Sequence, residues 1–138
     1  AHVLGLSLSH LISESSFLPG PTQIGLYGQY HWLTARQVSR VLQMAYKDFS
    51  SAPEFIASLG IGGEDGTMKR RTLAVNESII RAKTGTLDGV SSLAGYVTSA
   101  DNEILVFTIL LNDPKLKYGK MSLWADQVAE AVSKFHRK

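Results

Sequence analysis

At 138 residues, with 44% hydrophobic and 19% charged side chains, the chain is long enough to bury a substantial core and reads as one domain over 1–138. A formal charge of +2 is too small to argue for a nucleic-acid partner, and the absence of cysteine excludes disulfide and thiolate chemistry. His2, His10, His31 and His136 lack metal-ligand spacing, so no metal or cofactor is expected, and no apolar run approaches the ~20 residues of a membrane span.

Residues 1–23 remain unplaced. Leu4, Leu8 and Leu11-Ile12 have helical spacing, while Leu4, Leu6 and Leu8 also fit a strand; a helix is the preferred reading. No basic region precedes these apolar residues, so they do not read as an intact signal peptide. Ser13 to Ser16 and Pro19-Gly20-Pro21 have loop chemistry. Behind them Tyr27, Tyr30, His31 and Trp32 either pack onto the core or form one wall of a binding groove.

Thr34-Ala-Arg-Gln37 is a capping box, and Val38, Val41, Leu42, Ala45 and Phe49 fall on one face behind it, which predicts a helix over 34–48. Ser51-Ala-Pro-Glu54 repeats the device, with Gly60 as a left-handed stop, predicting a shorter helix over 52–59. Gly60-Ile-Gly-Gly-Glu-Asp-Gly66 is not a nucleotide loop: Asp65 takes the third glycine's place, and acids stand where a phosphate would sit. It reads as a tight loop beside a functional cleft. Lys69-Arg70-Arg71 and Lys115, Lys117 and Lys120 read as solvated faces.

After a polar connection through Asn76-Glu77, a short strand is expected over 79–83, then one over 92–99 with Leu93, Gly95 and Val97 facing away from Ala94, Tyr96 and Thr98. Ala100 to Glu103 has hairpin chemistry, and Ile104 to Leu111 is an apolar run suited to a strand covered on both faces. From Lys120 onward Met121, Trp124, Val128, Ala131 and Phe135 define the expected apolar stripe of a final helix. The fold class is therefore α+β, an antiparallel sheet of at least three strands flanked by helices, with the C-terminal helix packed on the sheet.

The chemistry concentrates at Lys83-Thr84-Gly85-Thr86. A lysine at a strand end offers a compact positive charge, Thr84 a hydroxyl donor, and Gly85 close access to the backbone. Such a group suits a carboxylate or developing anion, and the strand edge could pair with an extended peptide. Taken alone, the tripeptide reads more readily as a strand-terminal lysine before a Thr-Gly turn than as a binding group.

The wider context is more specific. Arg81-Ala-Lys-Thr-Gly-Thr-Leu-Asp-Gly-Val-Ser-Ser-Leu-Ala-Gly-Tyr-Val97 resembles the third-motif region of class C, type-4 penicillin-binding proteins, the D-alanyl-D-alanine carboxypeptidases and endopeptidases. Gly62 to Arg71 resembles the Gly-x-Asp-Gly-Thr segment of that family. Gly25-Leu-Tyr27 with Leu33 to Gln37 resembles its Gly-Ser-Gly-Leu segment and following helix, with Ile24 in place of the serine.

The resemblance implies the C-terminal portion of a penicillin-binding, transpeptidase-like D,D-peptidase domain that hydrolyses peptidoglycan outside the cytoplasm or in the periplasm. Its partners would be a stem peptide ending in D-Ala-D-Ala and, as inhibitors, β-lactams. It further implies that Lys83 and Thr84 are catalytic, binding the substrate carboxylate and supporting proton transfer, and that Gly85 and Thr86 bind substrate. The Thr86 N–H would be one oxyanion donor, a contact worth ~3 kcal/mol in the transition state.

No serine begins a Ser-x-x-Lys or Ser-x-Asn motif; Ser78 comes nearest, with Arg81 at the lysine position. The nucleophile is thus expected in an N-terminal portion of the same enzyme, and the 138 residues alone are expected to be inactive. The alternative is a non-catalytic module that binds peptidoglycan peptides or serves as an interaction surface.

Overall fold

The computed structural model of the protein describes residues 22–23, 32–64, 66–69, 71, 79–115 and 118–137. In chain order the elements are β1 (Thr22–Gln23), β2 (Trp32–Leu33), α1 (Ala35–Lys47), α2 (Ala52–Ala57), β3 (Gly60–Ile61), a 3-10 turn (Gly66–Met68), β4 (Ile80–Leu87), β5 (Val90–Thr98), β6 (Ile104–Asn112) and α3 (Tyr118–Ser133). β1 and β2 pair antiparallel with each other, and β3-β4-β5-β6 form a four-stranded antiparallel sheet. The remaining expectations for residues 1–21, and those for the side chains of Tyr27, Tyr30, His31 and Trp32, lie outside the described residues, as does Asn76-Glu77.

The capping box forms as expected. The Thr34 N–H donates to Gln37 Oε1 at 2.8 Å, and the Gln37 N–H donates to Thr34 Oγ1 at 3.2 Å, satisfying two helix-start donors. α1 then runs to Lys47, so Phe49 falls beyond its end and is 97% exposed rather than part of the apolar face.

The second predicted capping box does not form. Ser51 is in helical geometry, and its hydroxyl donates instead to Asp48 Oδ2 at 2.9 Å, alongside Ser50 on Oδ1. Those hydrogen bonds, Ser50 first, hold the Asp48 carboxyl below its ordinary pKa. α2 is correspondingly short, ending at Ala57, and Gly60 is a strand residue paired with Ala82 instead of a helix stop.

The sheet is built around the β4–β5 hairpin. Gly89 at φ +67° closes it with Asp88, a conformation that suits glycine, and the register runs unbroken from Leu87↔Val90 to Ile80↔Val97. β4 therefore extends to Leu87 and is not the short strand expected over 79–83. Lys83, Thr84 and Gly85 lie inside it rather than at its end.

Alternation assigns two faces. Ile80, Ala82, Leu93, Val97, Phe107 and Ile109 meet Ala125 and Ala129 of α3 in one core. On the other face Tyr96 packs with Leu42 of α1 and Leu59, joined by Ala94 and Val106. Both faces of β5 are covered, and the Tyr96 hydroxyl donates to the Leu42 carbonyl at 2.7 Å, tying α1 to the sheet.

α3 packs on the sheet, but on a different stripe from the one its large residues suggest. Met121, Ala125, Ala129 and Ser133, at i+4 spacing, are the buried positions. Leu93, Phe107 and Ile109 already supply the bulk, so close approach favours alanine on the helix. Trp124, Val128 and Phe135 are each 47% exposed and line an open groove with Tyr46, Ile104 and Val106 beside β6.

Candidate active site

β3 covers β4 only at Ala82 and Arg81, after which the Gly62 N–H donates to the Ile80 carbonyl at 2.9 Å. On the opposite side the Thr98 N–H donates to the Ile79 carbonyl at 3.1 Å. In an antiparallel ladder successive residues turn their N–H and C=O to opposite sides. Odd-numbered residues of β4 therefore bond to β5, and even-numbered residues face β3. Thr84 and Thr86 lie past the end of β3, so their N–H and C=O groups face an edge that no strand among the described residues pairs with.

Side chains follow the same alternation. Lys83 and Gly85 stand opposite Ala94 and Ser92, on the face covered by α1 and α2. Thr84 and Thr86 stand opposite Leu93 and Ser91, on the α3 face. The motif residues thus do not share one face; what reaches the open edge is the backbone of Thr84 and Thr86 and, through the Thr84 carbonyl, the Lys83 ammonium. Lys83 is exposed and bends back, its ammonium donating to the Thr84 carbonyl at 2.6 Å, so its charge lies at that edge. Gly85 is buried, Thr86 is exposed, and Thr84 is only 7% exposed.

The Thr84 hydroxyl lies 2.8 Å from that of Thr67, in the 3-10 turn. The turn is held firmly. Met68 is fully buried in the α3-side core, and its carbonyl accepts from the N–H groups of Gly63 and Arg71 at 3.1 and 3.0 Å. Gly63, at φ +78°, makes the reversal before the turn. Arg71 donates from Nη1 to Asp126 Oδ1 of α3 at 2.8 Å.

Arg71 does not belong to a solvated face: it is 4% exposed, and its Nη2 is buried without a partner among the described residues. Burial raises the Asp126 carboxyl above its ordinary pKa, an effect that the nearby guanidinium only partly offsets.

Sequence reasoning singled out Lys83, Thr84, Gly85 and Thr86 as candidate site residues and read Arg71 as part of a solvated face; it pointed to neither the Thr67–Thr84 contact nor the Arg71–Asp126 pair. Thr67 stood within the Gly-x-Asp-Gly-Thr resemblance, yet no spacing rule pairs hydroxyls 17 residues apart. No helix among the described residues is long and apolar enough to cross a membrane.

The helix-flanked antiparallel sheet, with Lys-Thr-Gly on an open strand edge, has counterparts among solved structures. Two structures of penicillin binding protein 4 from Haemophilus influenzae agree with this fold. One, complexed with a novel β-lactam, superposes with TM-score 0.64 at 24% identity over 79% of this chain and 27% of that one. The other superposes with TM-score 0.61 at 25% identity, over 78% and 26%.

A D-alanyl-D-alanine carboxypeptidase of Actinomadura sp. (strain R39) is 40% identical over 67 residues, covering 44% of this chain and 12% of that protein. The profile of the D-Ala-D-Ala carboxypeptidase 3 (S13) family matches residues 28–129, and the chain belongs to that family. It spans about an eighth of the curated relative's length and about a quarter of each solved structure's.

Proposed function

We propose that these residues form the Lys-Thr-Gly wall of a serine D-Ala-D-Ala carboxypeptidase or endopeptidase acting on peptidoglycan outside the cytoplasm. They would be the C-terminal portion of its peptidase domain, with the attacking serine supplied by sequence outside these 138 residues. The observation that carries the reading is the open β4 edge, where the backbone of Thr84 and Thr86 is unpaired by any described strand and the Lys83 ammonium lies on the Thr84 carbonyl.

An extended stem peptide would pair with that edge through the outward N–H and C=O groups of Thr84 and Thr86. Its terminal carboxylate would meet the Lys83 charge and the Thr84 hydroxyl. The serine attacks the carbonyl of the penultimate D-Ala, forming a C–O bond as the peptide C–N bond breaks. The terminal D-Ala leaves with the proton, and water then hydrolyses the acyl-enzyme. The Thr86 N–H would stabilise the negative oxygen of each tetrahedral intermediate. Lys83, as a point charge, suits both the carboxylate and support of proton transfer. β-Lactams would acylate the same serine, as the β-lactam complex of the Haemophilus protein suggests by analogy.

The test is labelling of the complete gene product with a fluorescent penicillin, together with release of D-Ala from a peptide ending in D-Ala-D-Ala. Labelling with release is expected. Peptide binding without either would leave only a non-catalytic binding module, and no binding at all would refute both readings.

A further inference from the structure

We propose that Thr67 is a positioning residue that sets the hydrogen-bond polarity of Thr84 towards the substrate carboxylate. The inference rests on the functional reading above.

A threonine hydroxyl carries one proton and two lone pairs. Either oxygen can be the donor across the 2.8 Å contact between Thr67 and Thr84. If Thr84 donates to Thr67, its proton is used internally, and it offers an arriving carboxylate only lone pairs. If Thr67 donates, Thr84 keeps its proton for the carboxylate. An anion at the edge therefore selects the second arrangement, and a charge-assisted hydrogen bond strengthens as its chain is polarised. The Thr67 hydroxyl makes the Thr84 hydroxyl a better donor and fixes its direction.

Thr67 is placed to do this reproducibly. Met68 beside it is fully buried, and two backbone N–H groups hold the Met68 carbonyl. Arg71, three residues further on, anchors the turn to α3 through Asp126. The turn is thereby fixed to the core that also carries Leu93, the cross-strand neighbour of Thr84. Thr67 itself is exposed, so removing its hydroxyl opens no cavity in the core.

The test compares the complete gene product with Thr67→Val, which keeps the β-branch, and Thr67→Ala, which adds no apolar bulk. Two peptides are used, one ending in D-Ala-D-Ala with a free carboxylate and one with a C-terminal amide. Both variants should lose about 10-fold in kcat/KM on the free acid, the order expected when a hydrogen bond to a charged group loses its support. Labelling by fluorescent penicillin, which also carries a carboxylate, should slow by a similar factor. The amide should be nearly unaffected, and Thr67→Ser should restore activity on the acid.

Equal losses on acid and amide, or none on either, would overturn the proposal and leave Thr67 a structural tether. A wild-type protein that neither labels nor turns over would instead refute the functional reading, and this inference would fall with it.

Discussion

Gly95 passes Arg81 so closely that no side chain fits between β5 and β4: a Cβ there would lie 2.1 Å from the Arg81 carbonyl oxygen and 2.7 Å from Ala82 Cα. Both are backbone atoms, so the strands themselves would have to part. Gly95 pairs with Ala82, the residue before Lys83, so the displacement would reach the motif directly. Gly95→Ala should cost about 1–3 kcal/mol, the range for overpacking, and should also slow acylation. Urea unfolding and penicillin labelling of the same variant check both.

The Arg71–Asp126 pair is buried, with side chains 4% and 13% exposed. Removing one partner strands the other's charge, which costs about 3–5 kcal/mol, whereas a well-packed apolar pair can replace both at little cost. Asp126→Leu should therefore destabilise the protein more than Arg71→Met with Asp126→Leu together. Chemical denaturation of the two proteins gives the ranking directly.

Tyr96 joins the sheet to α1 through its hydroxyl on the Leu42 carbonyl. Burial, with Tyr46 adding to it, pushes the phenol above its ordinary pKa, so it remains a donor throughout the neutral range. Tyr96→Phe removes that bond and keeps the ring in its tilted contact with Tyr46, whose centroid is 5.7 Å away. A loss of about 1 kcal/mol is expected, read as a lowered Tm, with labelling by penicillin unchanged.

What the sequence made legible is what local chemistry decides. Thr34 and Gln37 cap α1 because both partners lie within one turn. Ser51 had an equally local signal but lost to Asp48, which gathers the hydroxyls of Ser50 and Ser51. The register of α3 was not legible, because bulk on β5 and β6 decides which helical stripe packs. Trp124 and Val128 therefore gave way to Ala125 and Ala129. The motif residues were readable from their order in the chain, but Thr67 and Arg71 act through contacts 17 and 55 residues away.

Asp101, in the β5–β6 turn, accepts from the Arg137 N–H at 2.6 Å and contacts the His136 ring at 2.8 Å, tying down the segment after α3. These bonds, the backbone N–H foremost, hold its carboxyl below the ordinary aspartate value. A folded-state pKa below the unfolded one gives a contribution fully present above about pH 4 and lost as pH falls through the lower, folded value. The protection of the Arg137 amide against exchange, taken relative to its intrinsic rate at each pH, should fall over that acid range. Asp101→Asn should show the lower protection already at neutral pH.

The central claim is that Lys83 serves the active site and not merely the strand. Its charge lies at the open edge, bonded only to the Thr84 carbonyl among the contacts described, so its loss should leave the fold intact. The direct measurement is the second-order rate of fluorescent-penicillin acylation of the complete gene product, wild type against Lys83→Ala, with Tm recorded for each. A fall of about 100-fold at unchanged Tm is expected, in line with losing one preorganised electrostatic contact. Equal acylation rates for the two proteins would contradict the assignment of Lys83 to the site.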